Sequence, residues 1–273
     1  MNRPLFSIIT CTFNAELTLA RTLGSVASQS FTDYEHVIID GASKDGTLAL
    51  LSHPADGYQQ CGDAASHTRV FSEPDKGLYD AMNKGIARAR GRYLIFLNAG
   101  DKFHSADTLS EVATHIYNNT CANDGRTDGM PDDRFPAVVY GETDLVDDEG
   151  RFIRHRRLQT PESLTWRSFL NGMVVCHQSF YVRRDIALLE SYNLQYRFSA
   201  DFDWCIRCMR RAQKMGAALS NTHLILTDYL SEGITTANRR KSLFERLRIM
   251  AGHYGWLRTV IQHCWFVLRL AKA

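Results

Sequence analysis

The chain reads as an α/β protein with a mostly parallel central sheet flanked by helices, plus a helical C-terminal extension. Three stretches predict it. Phe6–Thr12 (FSIITCT) and Glu35–Asp40 (EHVIID) are apolar strand runs with a helical pattern between them, a strand–helix–strand unit whose crossover is right-handed. Tyr93–Leu97 (YLIFL) is a third run, apolar at every position, as a strand buried on both faces must be. At 273 residues, 44% hydrophobic and 23% charged, the chain is long enough for one large domain of ordinary globular composition.

In chain order, the first helix is marked by apolar Leu17, Leu19, Leu23 and Val26 against polar Arg21 and Gln29. The second strand ends in Asp40-Gly41-Ala42-Ser43-Lys44-Asp45-Gly46-Thr47. Residues 56–65 and 118–134 are rich in Gly, Asp, Asn and Pro and read as surface loops. Ala137–Thr143 is a strand, and Phe152–Arg157 pairs back on it across the turn Asp147–Gly150. A helix over Pro161–Leu170 is expected, with Thr160 as its cap, and another over Asp201–Lys214.

The chemistry concentrates where strands end. Open α/β sheets bind ligands at the carboxyl ends of their strands. Asn98-Ala99-Gly100-Asp101 stands at one such end. Asp101 beside a glycine suits a divalent cation on a phosphate, or else it caps the following helix. Asp40, at the end of the second strand, suits a ribose or base edge. Asp80 and Lys84 are one helical turn apart and can form a surface ion pair. His177 follows an apolar stretch and is either a metal or phosphate contact or a satisfied core histidine.

Three segments in this order, FSIITCTFNAELTLARTLGSVASQSFTDYEHVIIDGASKDGT, EPDKGLYDAMNKGIARARGRYLIFLNAGD and HQSFYVRRD with FSADFDWCIR, resemble the family-2 inverting glycosyltransferases. The resemblance covers roughly residues 5–235 and implies the GT-A nucleotide-binding fold. It places Thr12, Asn14, Asp40, Asp75, Asp80, Lys84 and Asn98 around a nucleotide-sugar donor, and Asp201 on the acceptor side as the general base. It implies a Mg²⁺ or Mn²⁺ ion at Asp101, with His177 as a further candidate ligand. Gly233, Arg239 and Arg240 become candidates for a loop that closes on the diphosphate. One departure stands out: the family's acidic metal motif is reduced, with Asn98 and Gly100 where carboxylates usually stand, and only Asp101 kept. Asn98 still offers a carbonyl oxygen, and Mg²⁺ readily keeps waters in place of missing ligands. Asp201 has a second reading, as the cap of its own helix; Asp203 is two residues on and points elsewhere.

No secretory leader precedes the first strand, and no apolar run reaches the roughly 18–20 residues that span a bilayer. Seven cysteines without regular spacing argue for a reducing compartment, and Cys205 and Cys208 lack the second ligand pair a metal site needs. The segment 237–273, divided here from a catalytic domain over 1–236, holds eight basic residues against Glu245 alone, interleaved with Trp256, Trp265 and Phe266. This suits an interfacial anchor on an anionic leaflet; a packed helix pair and a phosphate-binding tail are the alternatives, and no nucleic-acid partner is expected. The anchor reading makes the segment dispensable for donor hydrolysis. The expected protein is a cytoplasmic glycosyltransferase, peripheral on the inner membrane face. It moves a sugar from a nucleotide donor, UDP-linked, to a lipid-linked or polysaccharide acceptor with inversion, in cell-surface polysaccharide synthesis. A nucleotidyltransferase, or a non-catalytic partner subunit with the same fold, are the competing functions.

Overall fold

A computed structural model describes residues 3–52, 67–120, 132–231 and 239–270, with the backbone alone for residues 239, 240 and 266–270. In chain order the elements are β1 (Phe6–Thr12), α1 (Leu19–Ala27), β2 (Tyr34–Asp40), α2 (Thr47–Ser52), β3 (Thr68–Ser72), α3 (Leu78–Arg88), β4 (Tyr93–Phe96) and β5 (Lys102–Phe103). There follow α4 (Thr108–Asn119), β6 (Val138–Val146), β7 (Phe152–His155), β8 (Phe180–Arg183), α5 (Arg184–Leu189), α6 (Ala200–Lys214), β9 (Leu219–Leu230), α7 (Arg239–Tyr254) and α8 (Trp256–Leu270).

One sheet runs in the order β3-β2-β1-β4-β8-β6-β9-β5, with β7 paired to β6. The first four of these strands are parallel, which is the expected crossover arrangement. Beyond β4 the sheet is mixed: β8 is antiparallel to β4 and β6, β9 is parallel to β6, and β5 is antiparallel to β9. The unbroken parallel run therefore belongs to one half of the sheet, and the other half keeps a single parallel pair, β6–β9.

The unbroken apolar runs have the cause inferred for them. Phe6 and Ile8 of β1 pack on one side with Tyr93, Leu109, Val112 and Ile116, while Ile9 and Cys11 pack on the other with Met82, Ile86 and Trp204. Both faces of the strand are covered, so alternation has no place. Helix α3 lies close on the sheet because Gly85 has no side chain: a Cβ there would stand 2.5 Å from Ile9 Cγ2.

The helix expected over Pro161–Leu170 does not form. A 3-10 helix covers Trp166–Asn171 instead, and its start is a capping box between Thr165 and Ser168. The reason is Tyr140, whose hydroxyl donates to the Glu162 carbonyl (3.0 Å) and accepts the Leu164 N–H (3.1 Å), holding the chain before it in a bent, non-helical path. Cys205 and Cys208 lie buried in α6, and Cys11, Cys176 and Cys264 are likewise free thiols.

Candidate active site

The carboxyl ends of β1, β2 and β4 lie side by side, because β1 is the strand between the other two. Asp40, at the tip of β2, is fully buried. It accepts the hydroxyls of Thr12 (2.9 Å) and Ser72 (2.7 Å), the Ser43 N–H (3.0 Å), and the Ser43 hydroxyl. Burial opposes its charge, but the hydrogen bonds from Ser43, Ser72 and Thr12 outweigh it and hold the carboxyl below its ordinary range. Asp40 thus ties three strand ends together. Asn14, in the left-handed region at φ 49°, accepts the Lys44 N–H (2.9 Å), and its own N–H donates to Ser43 Oγ (2.8 Å). The two turns after β1 and β2 are knitted into one rigid edge. Asp75 reaches this edge through the bare backbone of Gly41, where a Cβ would stand 2.5 Å from its Oδ2, and it accepts the Gly77 N–H (2.7 Å). Asp80 accepts the Lys76 N–H (3.0 Å) and faces Lys84 (3.7 Å), whose ammonium also meets the Pro74 carbonyl (2.7 Å). This pair shapes the loop that presents Asp75.

Beyond β4, the Asp101 carboxylate is 4% exposed. It accepts the Gln178 side-chain amide (2.9 Å) and the Leu230 N–H (3.0 Å), so it ties the end of β4 to the residues around His177 and to the end of β9. Burial pushes Asp101 up to about 7, against those two hydrogen bonds and the charge of Arg21. Three residues earlier in the same turn, which the Asp101 N–H closes onto the Asn98 backbone carbonyl (3.0 Å), the Asn98 side-chain oxygen Oδ1 is buried and has no partner among the described residues. An orphan acceptor in one turn with a buried carboxylate that has no ion pair among the described residues fits a divalent cation. His177 is elsewhere engaged. Its Nε2 lies 2.6 Å from the Tyr192 hydroxyl and its ring packs among Phe96, Tyr192 and Trp204; burial lowers its pKa to about 4. Of its two readings, the satisfied core histidine describes this position.

Asp201 opens α6 and accepts the Tyr79 hydroxyl (3.0 Å) from α3. Tyr79 stacks on Tyr192, which stacks on Trp204, so an aromatic column runs under the carboxylate. Asp203 is turned away as its spacing implies: it holds His253 Nε2 (2.7 Å) and Arg207 Nε (2.7 Å). Asp101 and Asp201 both press the Tyr229 phenol toward its neutral form, after the larger effect of its own burial.

The sequence reading missed what α7 contributes. Glu245 accepts the N–H groups of Arg197 (2.8 Å) and Phe198 (2.7 Å), Ser242 meets Ser199 (3.0 Å), and Ile249 and Met250 enter the core. Together with His253 on Asp203, they clamp the entry into α6. Arg246 lies 5.8 Å over the Phe202 ring; its charge acts on Tyr79, and its Nε is buried without a partner among the described residues. The basic composition of this helix favoured the anchor reading over the packed helix pair, and an acidic Glu245 among cations was the signal that pointed the other way. Gly233 lies outside the described residues, as does the expected boundary at 236/237; Arg239 and Arg240 are the first residues of α7, with side chains outside the described set.

Comparison with known proteins agrees with this geometry. The sequence profile described as glycosyl transferase family 2 matches residues 7–189. A PGL/p-HBAD biosynthesis glycosyltransferase of Mycobacterium bovis (strain BCG / Pasteur 1173P2) is 32% identical over 209 residues, 76% of this chain and 71% of the relative. A putative teichuronic acid biosynthesis glycosyltransferase, TuaG, of Bacillus subtilis (strain 168) is 28% identical over 202 residues, 71% of this chain and 69% of that one. Among solved structures, S. aureus TarS 1–349 in complex with UDP-GlcNAc superposes with a TM-score of 0.66 at 17% identity, over 90% of this chain. This chain spans 65% of the TarS fragment's length. The mannosyltransferase PcManGT from Pyrobaculum calidifontis, in complex with GDP-Man and Mn²⁺, gives a TM-score of 0.59 at 15% identity, covering 92% of this chain and 64% of that one. With the sheet order, the carboxylates at its strand ends and the profile match in agreement, the chain belongs to glycosyl transferase family 2 and has the GT-A fold.

Proposed function

We propose that the protein transfers a sugar from a UDP-linked donor to a lipid-linked or polysaccharide acceptor, inverting the anomeric centre, with Asp201 as the general base. One observation carries this reading: Asp201 stands at the first turn of α6, held by the donor-side Tyr79 hydroxyl at 3.0 Å, with no ion pair among the described residues to neutralise it. A carboxylate so placed can take the proton of an acceptor hydroxyl as that oxygen attacks the anomeric carbon. Asn14 and Asp75 line the rigid edge where the nucleotide would lie, backed by buried Thr12 and Asp40, whose carboxylate is already spent on Thr12, Ser43 and Ser72; Phe13, 62% exposed at the same edge, offers a ring face to a base. Asp101 and Asn98 would hold a Mg²⁺ or Mn²⁺ ion, which when bound supplies positive charge to the leaving diphosphate. Arg246, on the same side as Asp201, is a fixed cation for an anionic part of donor or acceptor. The UDP-GlcNAc and GDP-Man of the two superposed structures support a nucleotide-sugar donor as a class. Replacing Asp201 with Asn keeps shape and removes the proton acceptor. Donor binding should persist while transfer falls roughly 10²–10⁴-fold. Near-normal transfer would leave Asp201 as a helix cap only.

The site of action is proposed to be the inner face of the cell membrane. Trp256, Leu257, Val260, Ile261 and Trp265 of α8 are all exposed, beside exposed Leu243 and Phe244 of α7. An apolar face flanked by arginines suits the boundary of an anionic leaflet. Among the described residues no helix is long and apolar enough to cross a membrane.

A further inference from the structure

On the sheet face away from Gln178, four neighbouring strands carry a row of charged side chains. Lys102 pairs with Asp228 in the β5–β9 register, Asp228 with Asp144 in the β9–β6 register, and Asp144 with His155 in the β6–β7 register. His104, two residues after Lys102, completes the row: its Nδ1 is 2.7 Å from Asp228 Oδ1, and Lys102 Nζ is 3.0 Å from Asp228 Oδ2. His155 Nδ1 is 2.6 Å from Asp144 Oδ1. The face is fixed by the neighbours in sequence. Thr143 and Thr227 hydrogen-bond toward Ser179 and the Gln178 carbonyl, so Asp144 and Asp228, one residue on, point the opposite way.

Asp144 and Asp228 are 4% and 6% exposed and face each other across adjacent strands. Like charges in that position repel, and burial raises the cost. Lys102 is the one permanent cation against two carboxylates in this row. His104, Asp144 and Asp228 each offer one ligand atom, and these atoms lie within 4.8 Å of one another. His104 is solvent-accessible enough to admit an ion, with a side chain 39% exposed.

We propose that His104, Asp144 and Asp228 bind a divalent cation of the Zn²⁺ class, separate from any ion at Asp101. One imidazole nitrogen with two carboxylate oxygens suits a borderline ion, with water completing the coordination. The cation takes the place of the proton shared between His104 Nδ1 and Asp228 Oδ1. Lys102 keeps the other Asp228 oxygen and His155 orients Asp144, both as outer partners of the ligands. The ion would fasten β5, which follows Asp101 directly, to β9, whose Leu230 N–H holds the Asp101 carboxylate. It braces the donor side from behind.

The test is equilibrium dialysis of the full chain against ZnCl₂ without nucleotide, with thermal unfolding in parallel and Co²⁺ absorption as a spectroscopic check. About one equivalent should bind and raise the unfolding temperature, as any ligand of the folded state does. His104→Ala should abolish the binding, His155→Ala should weaken it about 10–100-fold, and Asp101→Asn should leave it intact. Three results would each overturn the proposal: no stoichiometric zinc, zinc retained in His104→Ala, or zinc lost in Asp101→Asn. The first two would make the row a self-sufficient ladder of ion pairs. Should His104→Ala not fold, Asp144→Asn and the Co²⁺ spectrum of the unaltered protein decide.

Discussion

Burial drives Asp101, in the site, and His177, in the aromatic core, in opposite directions. Asp101 has a folded pKa of about 7, above its ordinary value, so its contribution to stability is present in acid and is lost as pH rises through about 7. His177 has a folded value of about 4, so its contribution is present above about 6.5 and is lost as pH falls toward 4. In metal-free protein, Asp101→Asn should therefore become more stable relative to the parent as pH rises from about 4 to about 7, by at most about 1.4 kcal/mol per pH unit. Chemical unfolding of both proteins across that range checks it, and a constant difference would mean that Asp101 is ionised throughout. Asp40 and Asp101 stood out in the sequence because strand ends punctuate it: apolar run, then Asp-Gly or Asn-Ala-Gly-Asp. Their partners did not. Nothing near Asp40 in sequence points to Ser72, or near Asp101 to Gln178 and Leu230, because those bonds join residues that only the sheet brings together.

Helix α7 carries the largest difference between the favoured pattern and the structure. Its charge favoured an interfacial anchor over a packed helix pair, yet the helix buries Ser242, Ile249 and Met250 and grips the entry to α6 through Glu245. Glu245→Ala strands the N–H of half-buried Phe198 and removes charge-assisted bonds, so it should destabilise the fold by about 1–3 kcal/mol. Because the clamp lies next to Asp201, transfer should fall while the Asp40 edge still binds nucleotide. Urea denaturation with parallel donor-binding and turnover assays reads both. Unchanged stability would show the clamp to be incidental. For the same reason, removing residues 237–273 should lower turnover, where the anchor reading alone expected donor hydrolysis to survive. Short-range patterns fared better for strands than here: β1 and the β6–β7 hairpin were visible from periodicity and turn chemistry alone. Residues 161–165 misled because a tyrosine hydroxyl distant in sequence satisfies their backbone, which no local propensity records.

At the scale of the whole molecule, α8 leaves Trp256, Leu257, Ile261 and Trp265 in solvent on a segment whose charge is almost entirely positive. The full chain should bind anionic vesicles at low salt and detach as screening grows. Exchanging Trp256 and Trp265 for serine should release it while turnover of a water-soluble acceptor is kept. Indifference to vesicles at low ionic strength would assign this face to another helix, and resistance to salt and alkali would mean deeper insertion. The grip of α7 on α6 also has a consequence in time. A ribosome releases the strands, α6 and β9 first, and the sixteen residues of α7 follow them. At about 5–20 residues per second, the interval from Leu230 to Tyr254 is on the order of seconds. During that interval the nascent polypeptide would hold the Asp40 edge but an unclamped Asp201. If Asp201 is the base, as proposed, competence would wait until the helix leading directly into α8 has emerged, so activity and the apolar face would arrive almost together.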